Sequence, residues 1–252
     1  ATYRWLIEEA ADAVIVHGSE NERLLQGRWD IPAERVIVSE HGDYREWVDA
    51  GADQRAARVR LGLPVEAPIA LFFGTLRMSK GLGTLLAAWP TVREAVPDAG
   101  LVIAGRPYRG TDPTALEGLG PGVSLRAGAV SPEDTNDYYA AADVVAIPYD
   151  KVSTSGVLRY AYSAGRAVVA SDTGELSVHV LPGETGWLVP PGDSGSTARA
   201  LAEALSDRGL AATMGSAARA YTDREFDWAA VARRLSARLA VMAEAQDESS
   251  SP

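Results

Sequence analysis

Arg77 and Lys80 stand three residues apart in a short polar segment between two apolar stretches of different period. The first stretch, IALFF at 69–73, ends at Gly74; the second, LGTLLAAW, follows Gly81. This order reads as a buried strand, a glycine turn and a helix, the opening of an α/β unit. In open α/β sheets ligands sit beyond the carboxyl ends of the strands. Two cations there, beside a helix start with unpaired N–H groups, favour an anion, and phosphate is the usual one. Gly74 lets backbone and ligand approach closely at the strand end. The plainer alternative is a surface loop with two solvated charges.

The elements that must position this segment follow from periodicity. Strands are expected at 69–73, 100–104, 123–127, 143–148, 166–171 and 187–189. Helices are expected at 82–96, 113–118, 132–141, 156–164, 196–208 and 228–244. Ser131 is the expected N-cap of the third of these. Pro90 is expected to kink or split the helix that contains it. Trp228, Val231, Leu235, Leu239 and Met242 fall on one face of the last helix. Strands alternating with helices at this spacing give a parallel sheet covered on both faces.

Residues 1–43 read as a smaller piece: a helix at 3–11, a strand at 13–17, a helix at 20–29 and a strand at 35–39. Ser19 is the expected cap of the second helix, with Glu22 as its capping-box partner. Two strands make a poor independent domain, so this piece is expected to belong to a larger sheet. A helix at 53–61, stopped by Gly62 and Pro64, links it to the main unit.

The chain has 252 residues, a formal charge of -10 and no cysteine. The first allows one large or two modest domains. The second argues against a general nucleic-acid coat, and the third excludes disulfides and cysteine-based metal sites. The three histidines show no metal-ligand spacing. No stretch reads as a bilayer span or a signal peptide. The opening inside an amphipathic helix, without a methionine, suggests a trimmed chain or one whose earlier part is absent.

Five stretches resemble the C-terminal, donor-binding half of a GT-B glycosyltransferase of the retaining family 4, also called group 1. They are FFGTLRMSKGLGTLLAAW (72–89), LVIAGRP (101–107), YYAAADVVAIPY (138–149), SGVLRYAYSAGRAVVASDTG (155–174) and GETGWLVPPGD (183–193). The resemblance implies a Rossmann-like, doubly wound parallel α/β sheet with a partial second domain. The implied division is 1–43, the remnant of an acceptor-side domain; 44–65, linker and first helix; 66–227, the nucleotide-sugar domain; 228–245, a helix packing towards the other domain; and 246–252, a disordered tail. Exposed apolar surface is then expected on 1–43 and on parts of 228–244.

By the same resemblance, Arg77 and Lys80 hold the donor's diphosphate and stabilise the charge that builds as the sugar leaves. Gly105 and Arg106 follow the next strand, where the family places part of the nucleotide site. Ser153, Ser155, Gly156, Val157 and Leu158 start a helix whose N–H groups face the diphosphate. Glu175 is a candidate partner for a sugar hydroxyl, or a solvated loop carboxylate. Two glutamates eight positions apart are usual in the family. Val152 and Tyr160 occupy those positions here, so Tyr160, Asp150 or backbone groups must hold the hydroxyls instead. Trp89, Trp187, Phe72 and Phe73 read as core.

The implied reaction moves a sugar from a nucleotide sugar to a sugar, lipid-linked or small-molecule acceptor with retention. No cofactor or metal is implied, because Arg and Lys serve as the cations. The implied partner is the rest of an N-terminal domain, and the implied location is cytoplasmic. Peripheral contact with the inner membrane could involve Arg219, Arg224, Arg233, Arg234 and Arg238. A non-catalytic nucleotide-sugar-binding module, an epimerase and a phosphorylase are the alternatives. A dehydrogenase is disfavoured by the lack of a compact GxGxxG turn after 69–73.

Overall fold

The computed structural model describes residues 2–49, 51–108 and 119–250. The helix expected at 113–118 lies outside the described residues. Two compact units are present: Tyr44–Thr222, and Ala1–Asp43 together with Asp223–Pro252.

The short strands β1 (Val14–Val16) and β2 (Val36–Val38) pair in parallel in the second of these units. They are preceded by a helical turn, α1 (Thr2–Trp5), and a π-type turn at Leu6–Ala10 rather than one regular helix. Arg35 donates to the carbonyls of Ile7, Glu8 and Ala11, which satisfies the end of that turn. Helix α2 (Ser19–Arg28) follows β1. Its N-cap is Gly18, not Ser19, and no side chain caps it; the carbonyl of Gly18 accepts from Glu22 N–H instead. Ile15, Leu24 and Val38 are exposed here, as are Trp228, Leu239 and Val241 of the last helix.

The larger unit is built on a six-stranded parallel sheet. Its strands are β3 (Ile69–Phe73), β4 (Gly100–Gly105), β5 (Val123–Ala127), β6 (Val144–Ile147), β7 (Ala167–Ser171) and β8 (Gly186–Val189). Their order is β5-β4-β3-β6-β7-β8, with every pairing parallel. The central strands are continuous apolar runs because both faces are covered: every residue of β6 and β7 is buried. Edge strand β5 carries the polar residues Ser124 and Arg126. From β3 the chain steps outward through β4 and β5, then returns to the other side of β3 with β6. The carboxyl ends of β3 and β6 therefore flank the switch point of the sheet.

Around the sheet lie α3 (Gln54–Arg60), α4 (Leu82–Ala95), α5 (Pro132–Ala141), α6 (Gly156–Ser163), α7 (Glu175–His179), α8 (Ser194–Ser206) and most of α9 (Arg208–Glu225). Helix α4 buries Leu82, Leu85, Ala88, Trp89 and Val92, the helical period of its inner face, and packs with α8. It is not split at Pro90. Pro90 is exposed, so the carbonyl its ring leaves unbonded can turn to water. Side chains cap α3, α5 and α8 at Asp53, Ser131 and Asp193, each accepting from the N–H three residues on.

Helices α7 and α9 were not expected from the sequence. The first is five residues long, too short to show a period. The second buries mainly small residues, Ala211, Gly215 and Ala218 beside Met214 and Thr222, so its apolar stripe is faint. The last helix, α10, runs from Trp228 to Ser250, past 245 and into the tail expected to be disordered. The sequence there holds no glycine or proline before its final residue to stop it.

Candidate functional site

The site begins where β3 and β4 end. Gly105 (φ +141°) brings the two backbones so close that a Cβ on it would lie 1.7 Å from the Gly74 carbonyl oxygen. The pairing then continues beyond the strands. Leu76 N–H donates to Arg106 O over 2.8 Å, and Tyr108 N–H donates to Leu76 O over 3.0 Å. This zipper places the Arg77 guanidinium over the Tyr108 ring, 5.7 Å from its centroid. Arg106 contributes its carbonyl to the zipper, and its side chain is exposed.

A tight turn at Met78–Lys80 follows, closed by Gly81 in the left-handed region (φ +68°). A Cβ on Gly81 would lie 1.5 Å from the Pro148 carbonyl oxygen, so the turn is pressed onto the end of β6. Asp150 N–H donates to Ser79 O over 3.3 Å. The Lys80 ammonium sits 4.9 Å from the centroid of the Tyr149 ring, and a Cβ on Gly74 would be 3.3 Å from its Nζ. Burial, and then the charge of Arg77, hold Lys80 below the ordinary lysine pKa. Neither the Arg77 guanidinium nor the Lys80 ammonium has an ion-pair or hydrogen-bond partner among the described residues.

Helix α6 starts opposite these cations in the chain order, directly after the β6 loop. Ser155 is its N-cap, and the Ser155 hydroxyl accepts from Leu158 N–H over 3.2 Å. Ser155 N–H donates to Glu175 Oε2 over 2.8 Å. The Gly156 and Val157 N–H groups have no acceptor among the described residues. Val157 also lies beside the end of β3: its Cγ2 is 3.6 Å from where a Cβ on Gly74 would be. Ser153 is half-buried in the preceding loop. Of the five residues proposed here from sequence, Ser155 and Leu158 have bonded N–H groups, which leaves the helix donors on Gly156 and Val157 and the loop N–H of Ser153 for a ligand. Leu158 is a core residue with its N–H already bonded.

Two sequence-derived candidates are occupied elsewhere. Glu175 is neither a loop carboxylate in solvent nor open to a sugar. It is buried, ion-paired with the equally buried Arg159, and bonded to Ser155 N–H, while His179 Nε2 lies 3.7 Å away. Its work is to fix the start of α6. Tyr160 shares its hydroxyl between the Trp47 carbonyl at 3.2 Å and Asn136 Oδ1 at 3.1 Å. Its ring lies against Tyr139 and Tyr44, and burial raises its pKa to about 12.

Tyr44 and Tyr149 were not singled out by sequence. The Tyr44 hydroxyl is 3.1 Å from where a Cβ on Gly156 would be, so it stands at the head of α6. The contact spans more than a hundred residues and carries no local pattern. Tyr149 ends the apolar motif 138–149, where its type could have been noted, but its partner Lys80 could not.

The sequence profile described as "Glycosyl transferases group 1" matches residues 67–207, more than half of the chain and all of the site above except Tyr44 and Trp47. The chain belongs to this family. Among curated relatives, the D-inositol 3-phosphate glycosyltransferase of Corynebacterium aurimucosum is 30% identical over 235 residues, covering 89% of this chain and 56% of the relative. The chain thus spans about half the length of the curated relatives it matches. Among solved structures, sucrose-phosphate synthase from Thermosynechococcus elongatus aligns with a TM-score of 0.78 at 30% identity, over 96% of this chain and 61% of that one. The Anabaena protein HepE, solved with UDP and glucose, aligns with a TM-score of 0.80 at 22% identity, over 95% of this chain and 66% of that one. The group 1 family and the GT-B fold expected from sequence are thereby established. Among the described residues, no helix is long and apolar enough to cross a membrane.

Proposed function

We propose that the Tyr44–Thr222 unit binds the diphosphate of a nucleotide-sugar donor, and that the protein transfers the sugar to an acceptor hydroxyl with retention. The observation that carries this is the pair Arg77 and Lys80. Both cations lack a carboxylate partner among the described residues, at the switch point of a parallel sheet and near two unbonded N–H groups of α6. A structural cation is normally compensated; an uncompensated pair beside helix donors is arranged for an anion.

In this reading the bond between the sugar's anomeric carbon and the diphosphate oxygen breaks, and its electron pair leaves with the diphosphate. Arg77, Lys80 and the Gly156 and Val157 N–H groups stabilise that charge. The acceptor oxygen bonds to the same face of the anomeric carbon, and its proton passes to the departing phosphate. No metal or cofactor is assigned, since the cations supply the charge. Gly74 leaves room for the diphosphate at the strand end, and Gly105 and Arg106 are assigned to the nucleotide part of the site. The acceptor is expected to be held by a further domain, as the length of the relatives suggests. The cytoplasm, where nucleotide sugars are found, is the proposed location.

A nucleotide-sugar-binding module without turnover is the second reading. It is favoured by Val152 and Tyr160, which offer no carboxylate at the family's usual positions, and by the engagement of the Tyr160 hydroxyl. Calorimetric titration with a panel of nucleoside diphosphates and nucleotide sugars tests the shared premise. Binding of one nucleotide, lost in Arg77→Ala/Lys80→Ala, is expected. A folded chain that binds none of the panel would overturn it. Hydrolysis or transfer assays with the bound donor then separate enzyme from module.

A further inference from the structure

Tyr149 has a buried phenol, 3% exposed; its hydroxyl lies close enough to the Ser155 side chain to feel it, without forming a well-aligned hydrogen bond. Burial pushes its pKa up, so the ring stays neutral wherever Lys80 titrates. It cannot act as a phenolate counterion. What it offers Lys80 is a π face, 4.9 Å from the ammonium to the ring centroid. The two residues are held in register by their neighbours: Gly81 abuts the Pro148 carbonyl, and Asp150 N–H bonds to Ser79 O. Gly74 lies beside the ammonium, where a Cβ on it would be 3.3 Å from Lys80 Nζ. Arg77 is the charged group whose field reaches Lys80, and Asp150 makes no ion pair with it. Arg77 rests on an aromatic ring too, but Tyr108 is exposed, whereas Tyr149 is rigidly enclosed.

We infer that Tyr149 is a positioning residue for Lys80: its ring keeps the ammonium charged and fixed for the diphosphate, where no carboxylate does so. This rests on the reading that Lys80 binds that diphosphate. A carboxylate in the same place would hold the lysine as firmly but would cancel its charge and repel the ligand. An aromatic face holds it while leaving the charge available.

The test compares Tyr149→Phe, which keeps the ring, with Tyr149→Leu, which keeps apolar volume but loses the π face. NMR of isotopically labelled lysine reads Lys80 directly, without ligand. The wild type and Tyr149→Phe are expected to show a ring-current shift of the Lys80 ε-methylene. Tyr149→Leu is expected to lose that shift and to show a Lys80 pKa lower still, because the desolvation remains while the π stabilisation is gone. Titration with UDP, or whichever diphosphate of the panel binds, should give unchanged affinity for Tyr149→Phe. Tyr149→Leu should bind about tenfold more weakly, with its alkaline loss of binding starting at lower pH. On a Lys80→Met background Tyr149→Leu should cost nothing more. An unmoved Lys80 signal and pKa in Tyr149→Leu overturns the inference whether or not a nucleotide binds. So does an affinity loss in Tyr149→Phe equal to that in Tyr149→Leu, or a full additional loss on Lys80→Met. A wild type with the shift but no nucleotide binding instead overturns the donor-site reading, and with it the purpose given to the positioned charge.

Discussion

The two ends of the six-stranded sheet use the same residue types in opposite ways. At the amino end, Asp143 precedes β6 and gathers its neighbours. It accepts from Arg58 at 2.8 Å, Arg208 at 2.9 Å, Gln54 at 3.2 Å and the Ile69 N–H at 2.6 Å. Arg58 is itself buried, and its remaining donors reach the carbonyls of Ala141 and Val65. At the carboxyl end, Arg77 and Lys80 rest on aromatic rings and have no carboxylate among the described residues. One cluster closes on itself and holds α3, β3 and β6 together. The other has no carboxylate to close it among the described residues. On the proposed reading, the difference separates cations that stabilise a fold from cations that bind a ligand, and residue type alone does not show it.

The largest effect should come from breaking the closed cluster. Asp143→Ala strands Arg58 and leaves the Ile69 N–H without its acceptor. Removing one partner of a buried ion pair costs about 3–5 kcal/mol. Denaturant unfolding should show a loss of that size, while the nucleotide affinity of the folded protein stays within about twofold of the wild type. A stability change below about 1 kcal/mol would mean that Asp143 is no keystone.

At the open end the signs reverse. Lys80→Met removes a partly buried charge that has no carboxylate, so stability should be unchanged or slightly higher. Diphosphate binding, or turnover where it is measured, should fall on the order of 10²-fold. A variant that loses stability and keeps its affinity would erase the contrast between the two ends.

Titration sharpens the same contrast. The folded-state pKa of Lys80 is lowered below the ordinary 10.5, by burial first and by Arg77 second. Between that lowered value and 10.5, the unfolded chain binds a proton that the folded chain has released. The contribution of Lys80 to stability therefore rises with pH across this window. Its contribution to anion binding falls as the ammonium is lost, by up to about tenfold per pH unit once the pKa is passed. Affinity and the Lys80 part of stability should thus diverge with alkaline pH. In Lys80→Met both trends should vanish, as a comparison of calorimetric and denaturation series will show.

Much of this arrangement was legible in the sequence. The strand, glycine and helix around Arg77 and Lys80 could be read because apolar runs buried on both faces leave an unbroken pattern, and because glycine marks where backbones must meet. The inner strands β4, β6 and β7 of the larger sheet were readable for the same reason. The partners of charged groups were not. Glu175 reads from sequence as a partner for a sugar hydroxyl or a solvated loop carboxylate, because its buried partner Arg159 lies sixteen residues back on another element. Leu158 stood in the same motif as Gly156 and Val157, yet the Ser155 hydroxyl takes its N–H. Local pattern fixes where a residue lies along an element; whether its charge is answered depends on contacts that no local pattern encodes.

Tyr160 offers the smallest and most discriminating test, because sequence placed it at the ligand and the structure gives its hydroxyl to the fold. The oxygen bonds across to the Trp47 carbonyl and Asn136, and Asn136 also accepts from Asp49 N–H and donates to Trp47 O. That network ties the segment after Tyr44 to α5. Both acceptors keep another partner or reach solvent when the hydroxyl goes, so Tyr160→Phe should cost only about 0.5–1.5 kcal/mol, the net worth of a hydrogen bond. The ring would still pack on Tyr139 and Tyr44, and nucleotide-sugar affinity should not move. If Tyr160→Phe instead keeps its stability and loses affinity for the nucleotide sugar but not for the nucleoside diphosphate, its hydroxyl serves the sugar. The residue would then belong with Arg77 and Lys80 on the open side of the comparison, and its contacts with Trp47 and Asn136 would have to yield when the donor binds.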